Sequence, residues 1–232
     1  MKSAPVIEAT LGAIARAHRD YERWSGGDWL WAAPEYMATT AIARALHGLD
    51  HVRYVTMENN AREAIEYAGG NLVGRPNSQL NLQGRFDLVV WNTQGPRGLI
   101  EVKTTVAGYA QLNTDVQTLK TALKKAPDVR WGLVAFFASF AHGVRKDAKA
   151  RVADRTEEIA RRASQEVGDE YTVAQRRCAG RPCDRQLQFA VHHALARPLP
   201  CGPNAASVGN GAHDRRTRCS VCRVCQLRPP DK

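Results

Sequence analysis

The chain has 232 residues, 44% hydrophobic and 24% charged, which excludes a collagen-like, low-complexity or wholly disordered polypeptide. Its net charge of +10 favours a polyanionic partner such as nucleic acid. That excess is uneven: residues 1–140 hold 15 Lys and Arg against 13 Asp and Glu, and residues 141–232 hold 18 against 10. The longest apolar stretch, 131–140, is far short of the roughly 20 residues a membrane-spanning helix needs, so no membrane is expected. Glu8 and Arg16 break the opening segment, which argues against a leader and for a cytoplasmic location.

Val6, Ile7, Leu11, Ile14 and Ala17 recur three and four residues apart, which predicts an amphipathic helix over 1–24. Ser25-Gly26-Gly27-Asp28 breaks it. A second helix is expected from Pro34, with a stripe of Ala38, Ala41, Ile42, Ala45 and Leu46, ending at His47-Gly48. Residues 52–57 read as a strand, 61–68 as a short helix and 71–84 mostly as loop. Two apolar runs, 85–91 and 98–105, flank a Gly95-Pro96 turn signal and read as a β-hairpin. A helix is expected from 113 or 114 to 125, with Val116, Leu119, Ala122 and Leu123 on its apolar face. The nearly continuous apolar run 130–140 suits a strand buried on both faces. Residues 146–167 read as a mostly solvated helix, with sparse apolar positions at Val152, Ile159 and Ala163.

Asp87 and Glu101 each interrupt an otherwise apolar strand of the hairpin. Side chains alternate along a strand, so Glu101 and Lys103 share one face. Pairing around the Gly95-Pro96 turn sets Asp87 near Lys103 and diagonal to Glu101, within roughly 7–8 Å. Two carboxylates and an ammonium on one patch can hold a hard divalent cation and activate a water beside it.

Asp87, thirteen intervening residues, then Glu101-Val102-Lys103 resembles the signature of the PD-(D/E)xK nuclease superfamily. Phe86 stands where that signature usually has Pro. The resemblance implies an α/β fold: a restriction-endonuclease-like core with a central mixed β-sheet flanked by α-helices in the order α-β-β-β-α-β. It implies a Mg²⁺- or Mn²⁺-dependent deoxyribonuclease, with Asp87, Glu101 and the Val102 carbonyl as metal ligands and Lys103 orienting the attacking water. It also points to Glu35 as an added acidic ligand or base, though a carboxylate in a first helical turn equally serves the helix dipole. Glu58 and Glu63 are further acidic candidates, and Gln117 a supporting residue that fits a solvated role as well. Arg85, Lys120, Lys124 and Lys125 could touch a DNA backbone. DNA is the expected partner; restriction, defence and repair would all use this core. Cutting both strands takes two sites, which would favour a homodimer. The alternative is a catalytically inactive nucleic-acid-binding module on the same fold.

The expected organisation is an N-terminal helical extension over 1–29, the core over 30–142, a charged helical appendage over 143–175, and an Arg/Cys/Pro-rich basic tail over 176–232 expected to be disordered. Cys219, Cys222 and Cys225 have metal-ligand spacing. With Cys201, Cys183 or His213 as a fourth ligand they could hold zinc, or an iron–sulfur cluster.

Overall fold

The computed structural model describes residues 3–72, 82–138, 148–168, 175–179 and 188–196. The periodic stripe near the N-terminus forms α1, Ser3–Ser25, and Val6, Ile7, Leu11, Ile14 and Ala17 are all buried. Pro34 caps α2, Glu35–His47, and Gly48 ends it. Strand β1, Tyr54–Asn60, runs directly into α3, Ala61–Tyr67, where Asn60 Oδ1 accepts from the backbone N–H groups of Arg62 and Glu63. Then come β2, Arg85–Asn92, β3, Gly95–Lys103, α4, Asn113–Lys125, and β4, Trp131–Ala138. Helix α5, Ala148–Val167, and strands β5, Gln175–Ala179, and β6, Gln188–Ala196, complete the described chain.

The protein is α/β, with a mixed sheet flanked by helices, whose first four strands are β1 to β4. β1 pairs β2, and β2 pairs β3, antiparallel; β3 pairs β4 in parallel. A parallel pair needs a crossover, and α4 supplies it. Beyond β4 the sheet continues through β6 to β5, both antiparallel additions. Alternation along the strands divides the core. Leu88, Val90, Ile100, Val102, Leu133 and Phe137 pack under α1 and α2. Val89, Leu99, Val134 and Phe136 face α3, α4 and α5. Each fully buried Phe or Leu contributes about 1.5–3 kcal/mol, so this double packing fixes the central strands firmly. Gly98 lets the Trp131 ring lie flat on β3, since a Cβ there would collide with it.

Four expectations change. The hairpin turn lies at Thr93 and Gln94, because Asn92 Oδ1 accepts the Gln94 N–H and closes the turn before Gly95-Pro96. Helix α1 is no separate extension: it forms one layer of the core with α2. Helix α5 buries Val152, Thr156, Ile159, Ala163 and Val167, a full stripe rather than a solvated surface. The tail expected to be disordered from residue 176 contributes most of β5 and all of β6; β6 pairs with β4 from Trp131↔Ala196 to Ala138↔Gln188. Cys219, Cys222 and Cys225 lie outside the described residues, as does most of the loop expected over 71–84.

Candidate active site

The ladder pairs Leu88 with Ile100, which brings Asp87 level with Glu101. The turn at Thr93 and Gln94 sets this register, with a one-residue bulge between Val90 and Trp91, so Asp87 lies level with Glu101 rather than nearest Lys103 as the sequence suggested. Backbone pairing of β2 and β3 stops at Leu88, and the Asp87 side chain takes over: Oδ2 accepts the Val102 N–H at 2.7 Å. Glu101 is only 6% exposed, and the Asp87 carboxylate beside it raises its pKa further. Two acids therefore meet inside the sheet, where a charge is expensive to bury.

Lys103 ends β3 and bridges the two helical layers. Its Nζ lies 3.7 Å from Glu35 Oε1, at the start of α2, and 3.8 Å from Asp115 Oδ2, in the first turn of α4. Glu35 Oε2 also accepts the Thr104 N–H at 3.3 Å. Glu35 thus turns away from a pure dipole role and into the strand end. Asp115 escaped sequence reasoning. The signal was present: Asp115, Leu119 and Ala122 are four and three residues apart, so the carboxylate is in phase with the buried stripe of α4. Its Oδ2 is buried without a hydrogen-bond partner.

Four carboxylates, Glu35, Asp87, Glu101 and Asp115, thus surround one ammonium, and their proton affinities reflect the imbalance. Burial, then Asp87 and Asp115, hold Glu101 well above the usual carboxylate range. Burial pushes Asp115 up to about 6, with Asp87 and Glu35 adding to it and Lys103 opposing. Burial also raises Glu35, again against Lys103. For Lys103 itself burial pulls downward, but Asp115, Glu35, Asp87 and Glu101 together outweigh it and raise its pKa.

A fifth acidic side chain, Glu58, stands on β1 beside this cluster. The β1–β2 register passes from Met57↔Leu88 to Asn59↔Phe86, and Glu58 between them has a left-handed φ of 53°. Glu58 Oε2 lies 3.9 Å from Arg85 Nη1, and its carboxylate raises the pKa of the Tyr36 phenol. Other sequence candidates lie elsewhere. Gln117 donates to Glu166 of α5, and Lys120 Nζ donates to the Glu166 carbonyl at 2.8 Å, so both tie α4 to α5. Glu63 is exposed in the first turn of α3.

The donor set at Asp87, Glu101, Asp115 and Glu35 is all hard oxygen, suited to a divalent cation such as Mg²⁺. Among the described residues, no three His, Cys, Asp or Glu side chains already stand together as a group able to hold a metal ion. Among them too, no helix is long and apolar enough to cross a membrane. No family model, no curated protein and no solved structure matches the chain.

Proposed function

We propose that this protein is a divalent-metal-dependent deoxyribonuclease of the PD-(D/E)xK type, on a restriction-endonuclease-like core. One observation carries the proposal: Glu101, almost fully buried, lies level with Asp87 across the β2–β3 ladder while Asp115 and Glu35 crowd the same lysine. Such an excess of buried acid is unfavourable for folding alone and becomes favourable when a cation enters. Asp115 Oδ2, buried with no hydrogen bond and only the shared Lys103 ammonium at 3.8 Å, supports the same fit.

In this reading Asp87, Glu101 and the Val102 carbonyl would hold Mg²⁺ or Mn²⁺, and the cation would offset the charge that burial makes costly at Glu101. The bound metal would polarise the scissile phosphate and acidify the attacking water. Lys103 is kept cationic by the carboxylates around it, which suits it to offsetting charge on the phosphorane rather than to acting as a base. Glu35, with its raised proton affinity at the strand end, is the candidate base.

The second reading, a catalytically inactive nucleic-acid-binding module, is favoured by the lack of a ready-made metal-holding group among the described residues. Incubation of plasmid, linear duplex and single-stranded DNA with Mg²⁺ or Mn²⁺, against EDTA, separates the two. Cleavage that needs metal and disappears in Asp87→Ala and Lys103→Ala supports the nuclease; binding without cleavage under every condition supports the module.

A further inference from the structure

Glu35 reaches the end of β3 on a segment that one buried histidine holds from the far side. Residues 26–34 join α1 to α2, and of them only Leu30 and Ala33 are buried. Leu30–Ala32 is a short 3₁₀ turn, closed by the Ala32 N–H on the Trp29 carbonyl and the Ala33 N–H on the Leu30 carbonyl. Gly27 and Asp28 donate back to Glu22 and Ser25 at the end of α1. These local bonds shape the strap without fixing where its second half lies.

Bonds on two sides fix it. On the site side, three consecutive residues at the end of β3 grip it. Lys103 Nζ lies 3.7 Å from Glu35 Oε1, the Thr104 N–H donates to Glu35 Oε2 at 3.3 Å, and Thr105 Oγ1 donates to the Trp31 carbonyl at 3.3 Å. On the other side, His18 Nδ1 of α1 accepts the Leu30 N–H at 3.3 Å.

His18 is 1% exposed, and its ring stacks on Phe137 of β4 with centroids 5.3 Å apart. An imidazole in this apolar layer costs desolvation that a Phe or Leu would avoid, and the Leu30 bond offsets it. With Nδ1 accepting, the proton of the neutral ring sits on Nε2, 4.0 Å from Glu22 Oε2. Burial lowers the His18 pKa, against the pull of Glu22, and so favours this neutral form.

We propose that His18 is a positioning residue for the site: it pins the Leu30 peptide and, through the strap, sets the Glu35 carboxylate against Lys103 and Thr104. What Glu35 then does rests on the nuclease reading; how Glu35 is held does not. The test is amide hydrogen exchange of the full chain in EDTA, followed by NMR, with Ile100 in the middle of the sheet reporting global opening. His18→Phe keeps a ring on Phe137 and removes the acceptor. His18→Asn returns an acceptor at the place of Nδ1 on a smaller side chain. Relative to Ile100, the Leu30 and Thr104 amides are expected to exchange about fivefold or more faster in His18→Phe, and to stay within about twofold of wild type in His18→Asn. A role in packing alone predicts the reverse order, since Asn leaves more empty space than Phe. The wild type carries a further readout that depends on no variant folding: its His18 ring nitrogens should show Nε2 protonated and Nδ1 accepting. With Mg²⁺, His18→Phe should lower kcat for cleavage by about tenfold or more with KM little changed, and His18→Asn should restore it.

Thr104 protection that persists while Leu30 loses its own would overturn the proposal. So would a proton on Nδ1, or a larger effect of Asn than of Phe. Coupled loss at Leu30 and Thr104 in a protein that never cleaves DNA would keep the positioning role and remove the nuclease. Metal-dependent cleavage that Asp87→Ala abolishes and His18→Phe leaves unchanged would do the reverse.

Discussion

Arg97 and Glu101 lie on the same strand, four residues apart, and are almost equally buried at 7% and 6% exposed. Their surroundings are opposite. Each nitrogen of Arg97 has an acceptor: Nε donates to Asn92 Oδ1, Nη1 to the Asp128 carbonyl and Nη2 to Gln94 Oε1, with Asp128 Oδ1 at 3.4 Å. It binds the hairpin turn to the loop before β4 and leaves nothing for a ligand. Glu101 has another acid, Asp87, beside it, and the one nearby lysine is already shared by Glu35 and Asp115. A buried charge that is fully answered marks structure, and one left in excess marks a place where something else is meant to bind.

Substitution at each end should separate the two roles. Asp87→Ala and Lys103→Ala are expected to lower metal-dependent cleavage by about 10²-fold or more with the fold retained, measured as initial rates on the preferred DNA substrate. Arg97→Met should do the opposite. It strips three acceptors of their donor and is expected to cost about 3 kcal/mol in a urea melt, with the cleavage rate per folded molecule unchanged. If Arg97→Met abolished cleavage in folded protein, the two ends would not be separable.

Asp115→Asn sharpens the comparison through pH. The Asp115 carboxyl has an ordinary value of 3.8 and is pushed up to about 6 in the fold. Its contribution to stability is therefore present below about pH 4 and lost as pH rises through about 6. Asn has no proton to lose, so the variant should be more stable than wild type at pH 8 by on the order of 2 kcal/mol, and no more stable at pH 4. A gain that did not vary with pH would show that Asp115 is not strained by its charge. The smallest effect is expected at Glu58. Glycine adopts its φ of 53° freely, and the Arg85 pair that is lost is long, at 3.9 Å, with Arg85 exposed. Glu58→Gly should therefore raise stability by roughly 1 kcal/mol in the same melt.

What could be read from the sequence follows the same division. Asp87, Glu101 and Lys103 were legible because charges interrupt apolar strands, and Glu35 because it opens a helix behind Pro34. Asp115 was not, since an acid in a first helical turn has an ordinary explanation in the helix dipole, and only its phase with Leu119 and Ala122 distinguishes it. The hairpin register depended on the Asn92 turn and the bulge at Val90 and Trp91, which no strand pattern encodes. Thr156 hid the buried stripe of α5 by placing a hydroxyl in its centre, where it donates back to the Val152 carbonyl at 2.8 Å. Strands β5 and β6 are assigned by pairing with each other and with β4, a non-local property that their Arg- and His-bearing composition does not announce.

The central claim is that the acid excess around Glu101 exists to receive a divalent cation. Thermal melts of the full chain at pH 8, with Mg²⁺ or Mn²⁺ against EDTA, test it without reference to cleavage. The melting temperature of the wild type is expected to rise by roughly 3 °C or more at saturating metal, and that of Asp87→Ala to stay unchanged. No shift in the wild type, or an equal shift in both proteins, would contradict the claim.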